Sequence, residues 1–301
     1  MRYFGQHERG HIMSDIARRN FLVASLAIPT LWEGVHSAAK GEGSNTTPKR
    51  FETVAGHELA GILASHPLAI VPTGSVEFHG PHNPLGTDSI IISGISERVA
   101  ARTSAVLFPT VHFTHCPAHT AHFKGTLSIR PETMTLYFED ILRSVVGLGF
   151  KKVFMLNGHD GNIGPGRGAV SKVAAENPDA AFMFANWWEA LPSEEMLKLK
   201  LFNQVNGGHG HGGPVETSAV AAFRPDLVHV DQVHDLPDPP ALSPVMPYYL
   251  EKSTAKDWPG YSGKVSEVTP EKGRLLVQLA EDRLVQLVTN WFDHSDEPGS
   301  W

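Results

Sequence analysis

The chain has 301 residues, of which 41% are hydrophobic and 19% charged, the proportions of a globular protein large enough for one big domain or two small ones. A formal charge of -7, with no cluster of lysine and arginine, excludes electrostatic capture of nucleic acid or of an anionic membrane, since both reward dense positive charge. The single cysteine, Cys116, rules out an internal disulfide and a cysteine-based zinc cluster, so a metal site is expected to draw on Asp, Glu and the 17 histidines.

The amino-terminal segment is unlike the rest. Arg18-Arg19-Asn20-Phe21-Leu22 opens an apolar run to Leu31, and the small residues Ser37-Ala38-Ala39 follow. This order resembles a twin-arginine export signal over residues 1–39, with Met13 as a second possible start; the plainer reading is a leader on a cytoplasmic enzyme. The apolar run, about a dozen residues, is too short to span a membrane. Residues 40–50 read as a linker, residues 51–293 as one domain and residues 294–301 as a tail.

Within the domain, Glu52 to Ser65 has helical spacing and ends before Pro67. Leu68 to Val71 then reads as a buried strand. Its exit loop, VPTGSVEFHGPHNPLGTD, carries Glu77, His79, His82 and Asp88 among glycines and prolines that forbid a long helix. Asp88 precedes a helical pattern, so it sits near a helix amino terminus, where a carboxylate is favoured. Ala105 to Val111 is a second strand. His112, His115, His119 and His122 follow, either a metal cluster or pocket lining; Pro117 argues against the regular helix that a cluster would need.

Pro131 starts a helix that stops at Gly147-Leu148-Gly149. Strand Lys151 to Leu156 runs into Asn157-Gly158-His159-Asp160-Gly161-Asn162, a second histidine delivered at a strand end. The glycines of residues 164–168 match no phosphate-binding loop and read as close backbone packing. Ala180 to Asn186 is the next strand and ends in Trp187 and Trp188, either core aromatics or walls of a ligand site. His209-Gly210-His211 then leads to Glu216 at the start of a helix. Residues 231–263 form a proline-rich surface excursion, and Thr269-Pro270 caps a last helix striped with Leu276, Leu279, Ala280, Leu284, Leu287, Val288 and Trp291. Helices alternating with short apolar strands give an α/β fold with a mainly parallel sheet.

Glu77 and His79, two apart in an extended segment, project to one side, and Asp88 returns to the same neighbourhood. With His159 and Glu216 they make two imidazoles and three carboxylates, an inventory that suits a pair of ions such as Zn2+ or Mn2+ and metal-assisted hydrolysis.

The blocks PTGSVEFHGPHNPLGTD, AHFKGTLSI, NGHDGN and HGHGGPVETS resemble the signature blocks of the creatininase (creatinine amidohydrolase) family, in order from about Phe51 to Phe292. The resemblance implies a three-layer α/β/α sandwich, a homo-oligomer that is commonly a hexamer, and a dinuclear Zn2+ and/or Mn2+ centre cleaving a C–N bond of a cyclic amide, formamide or related small molecule. It places Glu77, Asp88 and His159 on one metal and His79 and Asp88 on the other, with a metal-bridging hydroxide as nucleophile. His211 takes the position of the histidine that carries protons. Two positions depart from the family pattern: Gly161 stands where creatininase has a metal-binding Glu, and Gly210 where a Glu precedes the catalytic histidine. Glu216 is then the replacement ligand or a proton carrier, His82 and Asn157 support the ligands, and His122, Trp187 and Trp188 contact substrate. The alternatives are a family member acting on a sugar-like or cyclic ketone substrate, and a non-catalytic exported binding protein.

Overall fold

The computed structural model describes residues 47–201, 210–237 and 257–294. The export signal, linker residues 40–46, His209, the middle of the proline-rich excursion and residues 295–301 lie outside the described residues.

Five strands form one sheet: β1 (Lys49–Arg50), β2 (Leu68–Thr73), β3 (Val106–Leu107), β4 (Lys152–Asn157) and β5 (Ala181–Asn186). Their order is β1-β3-β2-β4-β5, and every pairing is parallel. The helices are α1 (Leu59–Ser65), α2 (Thr87–Thr103), α3 (Ala118–Ala121), α4 (Pro131–Gly147), α5 (Ile163–Glu176), α6 (Ser193–Lys198), α7 (Pro214–Phe223) and α8 (Pro270–His294).

A parallel sheet buries both faces, so its strands read as continuous apolar runs, and the two-residue period of the backbone sends alternate side chains to opposite layers. Leu68 and Ile70 of β2 and Phe154 and Leu156 of β4 pack with Ile91 and Ile95 of α2, Ala219 of α7 and Leu276 and Leu284 of α8. Ala69, Val71, Val153 and Met155, from the same strands, face Met134, Phe138 and Leu142 of α4 and Ala169 and Val173 of α5. Each of these large side chains contributes roughly 1.5–3 kcal/mol by leaving water. The result is the three-layer α/β/α sandwich expected from the sequence.

Some boundaries differ from the sequence reading. Residues 52–58 form two short 3-10 turns before α1 rather than one continuous helix. The strand expected over 105–111 narrows to β3 because Pro109 has no N–H to donate, and pairing resumes only as a bridge from Val111 to Thr73. Lys49 and Arg50, assigned to the linker, instead pair with Val106 and Leu107. Residues 164–168 lie inside α5, where Gly166 permits close approach to β5: a Cβ there would fall 2.3 Å from Phe184 Cε2. The Lys272 N–H donates to Thr269 Oγ1 at 3.2 Å, which confirms the cap of α8, while Leu287 faces outward from the stripe. No described helix is long and apolar enough to cross a membrane.

Candidate metal centre and active site

The floor of the site is a row of polar side chains at the carboxyl ends of three strands. Thr73, Asn157 and Asn186 close β2, β4 and β5 and are neighbours in register. The Thr73 hydroxyl donates to Asn157 Oδ1 at 3.0 Å, and Asn157 Nδ2 donates to Asn186 Oδ1 at 2.8 Å and to the His159 carbonyl at 2.7 Å. Asn157 Oδ1 in turn accepts the His159 N–H at 3.1 Å. A fully buried amide bonded on all sides has one orientation, and this one fixes the loop that carries His159.

Above this floor, Glu77 and His79 come from the β2 exit loop, Asp88 from the first turn of α2, His159 from the β4 exit and Glu216 from the first turn of α7. None of the five is more than 7% exposed. Asp88 lies between the imidazoles: Oδ1 is 3.1 Å from His79 Nε2, and Oδ2 is 2.8 Å from His159 Nδ1. Glu216 Oε2 is 3.7 Å from His79 Nε2, and Glu77 Oε2 is 3.3 Å from His159 Nδ1.

The far nitrogen of each ring is already committed. His79 Nδ1 donates to the Glu77 carbonyl at 3.0 Å, His159 Nε2 to the His115 carbonyl at 2.8 Å and His211 Nε2 to the Phe78 carbonyl at 2.7 Å. Such backbone partners turn the other nitrogen toward a common centre, as they do for metal-ligating histidines. Glu77 Oε1 accepts the Thr120 hydroxyl, whereas Glu77 Oε2 is buried and accepts no hydrogen bond among the described residues. A buried carboxylate oxygen that accepts no hydrogen bond but faces ring nitrogens at 3.3–3.9 Å fits a cation, because a buried anion needs a positive partner.

The electrostatics agree. Burial opposes charge on His79, yet Asp88, with Glu216 and Glu77, outweighs it and lifts the pKa to about 10. Burial likewise opposes charge on His159, but Glu77 and Asp88 hold it well above the imidazole range. Burial pushes Asp88 up, and the two histidines more than reverse this, holding it well below the carboxylate range. Burial raises Glu216 to about 8 against the pull of His79. The cluster therefore gathers positive charge among its carboxylates, and a divalent cation would satisfy the same atoms. Burial and the charge of His79 hold His211 well below the imidazole range, so it stays neutral.

A cavity of about 240 Å3 opens onto the cluster and is also lined by Pro117, His119, Asp160, Trp188, Gly210 and His211. Of the three predicted substrate contacts, two fall differently. Trp187 is 1% exposed and packs in the core, so only Trp188 of the pair reaches the cavity. His122 is exposed against Phe123 and does not line the cavity, where His119 does. His112 is also exposed, and His115 contributes its carbonyl rather than its ring to His159. His82 joins the first and third loops through Nε2, which donates to the Gly212 carbonyl at 3.0 Å. Sequence reasoning missed Thr120, the hydroxyl partner of Glu77, and Trp258, whose ring lies 5.5 Å from that of His211. No periodic signal marks either.

Position 161 has a steric reason for its glycine. A Cβ there would lie 2.2 Å from the His115 carbonyl oxygen and 2.6 Å from His159 Nε2. Glu216 Oε2 comes within 3.7 Å of His79 Nε2 and is held by the Gly212 N–H, which donates to it at 2.7 Å.

A parallel α/β/α sandwich with this carboxylate and imidazole cluster at its strand ends defines a class, that of metal-dependent hydrolases. The sequence pattern of the Creatininase family, creatinine amidohydrolase, matches residues 52–288, and the chain belongs to that family. It is 29% identical over 235 residues to a mycofactocin precursor peptide peptidase of Mycobacterium ulcerans, covering 75% of this chain and 86% of the relative. It is 25% identical over 252 residues to the creatinine amidohydrolase of Pseudomonas putida, covering 77% and 93%. In fold it is similar to a Zn-Zn form of a creatininase mutant, with a TM-score of 0.72 at 24% identity over 81% of this chain and 98% of that one.

Proposed function

We propose that this chain is a dinuclear-metal amidohydrolase that cleaves a C–N bond of a cyclic amide, a formamide or a related small molecule. The observation that carries this reading is Asp88, whose two carboxylate oxygens face two different imidazoles with their outer nitrogens already bonded to backbone carbonyls. Glu77, Asp88 and His159 would hold one ion, and His79, Asp88 and Glu216 the other. Zn2+ and Mn2+ both suit such donors. Bound there, the ions supply an activated water and a positive centre that polarises the substrate carbonyl.

The chain's own side chains perform the rest. Asn157 and the backbone carbonyls hold the ligands in place, and Trp188 and His119 wall the substrate. Neutral His211 presents Nδ1 inward, 3.9 Å from Glu77 Oε2, where it takes a proton and passes it to the leaving nitrogen. Glu216 is a ligand in this reading; in the alternative it is the proton carrier.

Metal analysis of the purified protein, with and without chelator, tests the centre. A folded protein that retains no transition metal, or a His79→Ala variant with full metal content, refutes it. A screen of lactams, formamides, cyclic ketones and short peptides then tests the substrate class. The peptide arm is included because a peptidase relative shares 29% identity. Turnover of peptides or ketones alone would replace the small-amide reading.

Arg18-Arg19 and the apolar run support export. A mature chain beginning near Lys40 in an extracytoplasmic fraction is the expected result, and uncut chain found only in cytosol refutes it. The family resemblance supports a homo-oligomer, measured by light scattering.

A further inference from the structure

We infer that Cys116 Sγ is a ligand of the metal position formed by Glu77 and His159, which makes that position a thiolate site and the other one purely nitrogen and oxygen. The inference rests on the metal-centre reading above and changes its donor set.

Potential ligand atoms lying within 4.8 Å of one another fall into two trios that share no residue: His79, Asp88 and Glu216 on one side, Glu77, Cys116 and His159 on the other. A third trio, Glu77, His79 and His211, overlaps both. Cys116 is 1% exposed, yet it belongs to neither apolar cluster of the core. A buried cysteine acting only as a small hydrophobe would sit in one of them. Its sulfur instead contacts the carbonyls of Leu127 at 3.6 Å and Val76 at 4.0 Å and hydrogen-bonds the side chain of His159. The second sign of a ligand is Glu77, 1% exposed and part of the same trio, whose Oε2 makes no hydrogen bond among the described residues and lies 3.3 Å from His159 Nδ1.

Atoms this close need only small side-chain movements to meet one ion at Zn–S about 2.3 Å and Zn–N about 2.0 Å. The thiol proton leaves to solvent as the sulfur takes the metal, so one more proton is released than without the cysteine. Thiolate favours Zn2+ and cobalt(II) over Mn2+, so the two positions would differ in metal preference.

The test is titration of metal-stripped protein with cobalt(II), read by absorption. Visible d–d bands report occupancy of either position, and a near-ultraviolet sulfur-to-cobalt charge-transfer band reports Cys116. The expected result is both, with Cys116→Ser and Cys116→Ala keeping the visible bands, losing the near-ultraviolet band, and binding Zn2+ 10- to 100-fold more weakly while Mn2+ affinity stays within a few-fold. Visible bands without the charge-transfer band in the parent protein overturn the cysteine ligand and leave the metal centre standing. A charge-transfer band that persists in both variants overturns it too. No cobalt spectrum at all, in folded protein, overturns the centre itself and this inference with it.

Discussion

The steric argument at Gly161 can be tested with one methyl group. In Gly161→Ala the new Cβ would fall 2.2 Å from the His115 carbonyl oxygen, 2.6 Å from His159 Nε2 and 3.1 Å from Pro117 Cδ. The first two atoms are the partners in the 2.8 Å hydrogen bond that orients His159. Backbone and a packed ring cannot yield as a flexible side chain would, so the His159 loop or the segment carrying His115 has to move. Overpacking of this kind costs about 1–3 kcal/mol. Loss of the backbone partner of a ligating imidazole typically weakens metal binding by about 10- to 100-fold. For a domain of this size the stability term alone lowers the melting temperature by roughly 2–12 °C. Equilibrium dialysis against graded chelator, with elemental analysis, measures the affinity, and melting of the metal-stripped protein measures the strain. A variant with the parent's metal affinity and melting temperature would refute the reasoning. By the same geometry Gly161→Glu introduces no new ligand and behaves worse than the alanine variant.

Three further outcomes are expected. His211→Ala retains full metal content while kcat falls about 10²- to 10⁴-fold, the usual worth of a positioned proton carrier; loss of metal together with activity would place His211 among the ligands instead. Asn157→Ala leaves several buried partners at the strand ends unsatisfied and lowers unfolding free energy by about 2–4 kcal/mol in urea titration; a change under about 0.5 kcal/mol would show that the row contributes no more than an ordinary surface site. Metal-stripped protein loses stability as pH rises. His79, lifted from 6.5 to about 10, contributes fully below its unfolded pKa and loses that contribution as pH climbs through about 10. Glu216, lifted to about 8, also binds its proton more tightly when folded and adds to the same trend. Melting temperatures of stripped protein that rise from pH 6.5 to pH 10 would contradict the cluster's electrostatics, whereas the metal-loaded form gains affinity over that range as the protons depart.

Much of this molecule follows from order along the chain. Apolar runs such as Leu68 to Val71 and Lys151 to Leu156 mark buried parallel strands, because both of their faces meet helices, and each releases polar residues where the strand ends. Glu77, His79 and Asp88 are legible as one group because a glycine- and proline-rich loop cannot spread them apart, and the first turn of a helix holds Asp88. His159 and Glu216 could be named as partners from the same strand-end logic. Which neighbour of a repeated type points inward could not. Trp188 and not Trp187, His119 and not His122, face the cavity, because successive side chains of a 3-10 turn and of the single-turn α3 leave the backbone in different directions, toward core, cavity or solvent. The sequence reading also confined the metal ligands to His, Asp and Glu, and only the approach of the 116–120 segment to the β2 loop put Cys116 and Thr120 beside Glu77. Gly161 looked like a missing ligand in the sequence; in three dimensions it is the space that lets the His115 carbonyl reach His159. Residue types and spacing determined what chemistry was available, while close packing between segments far apart in the chain decided which atoms share a centre.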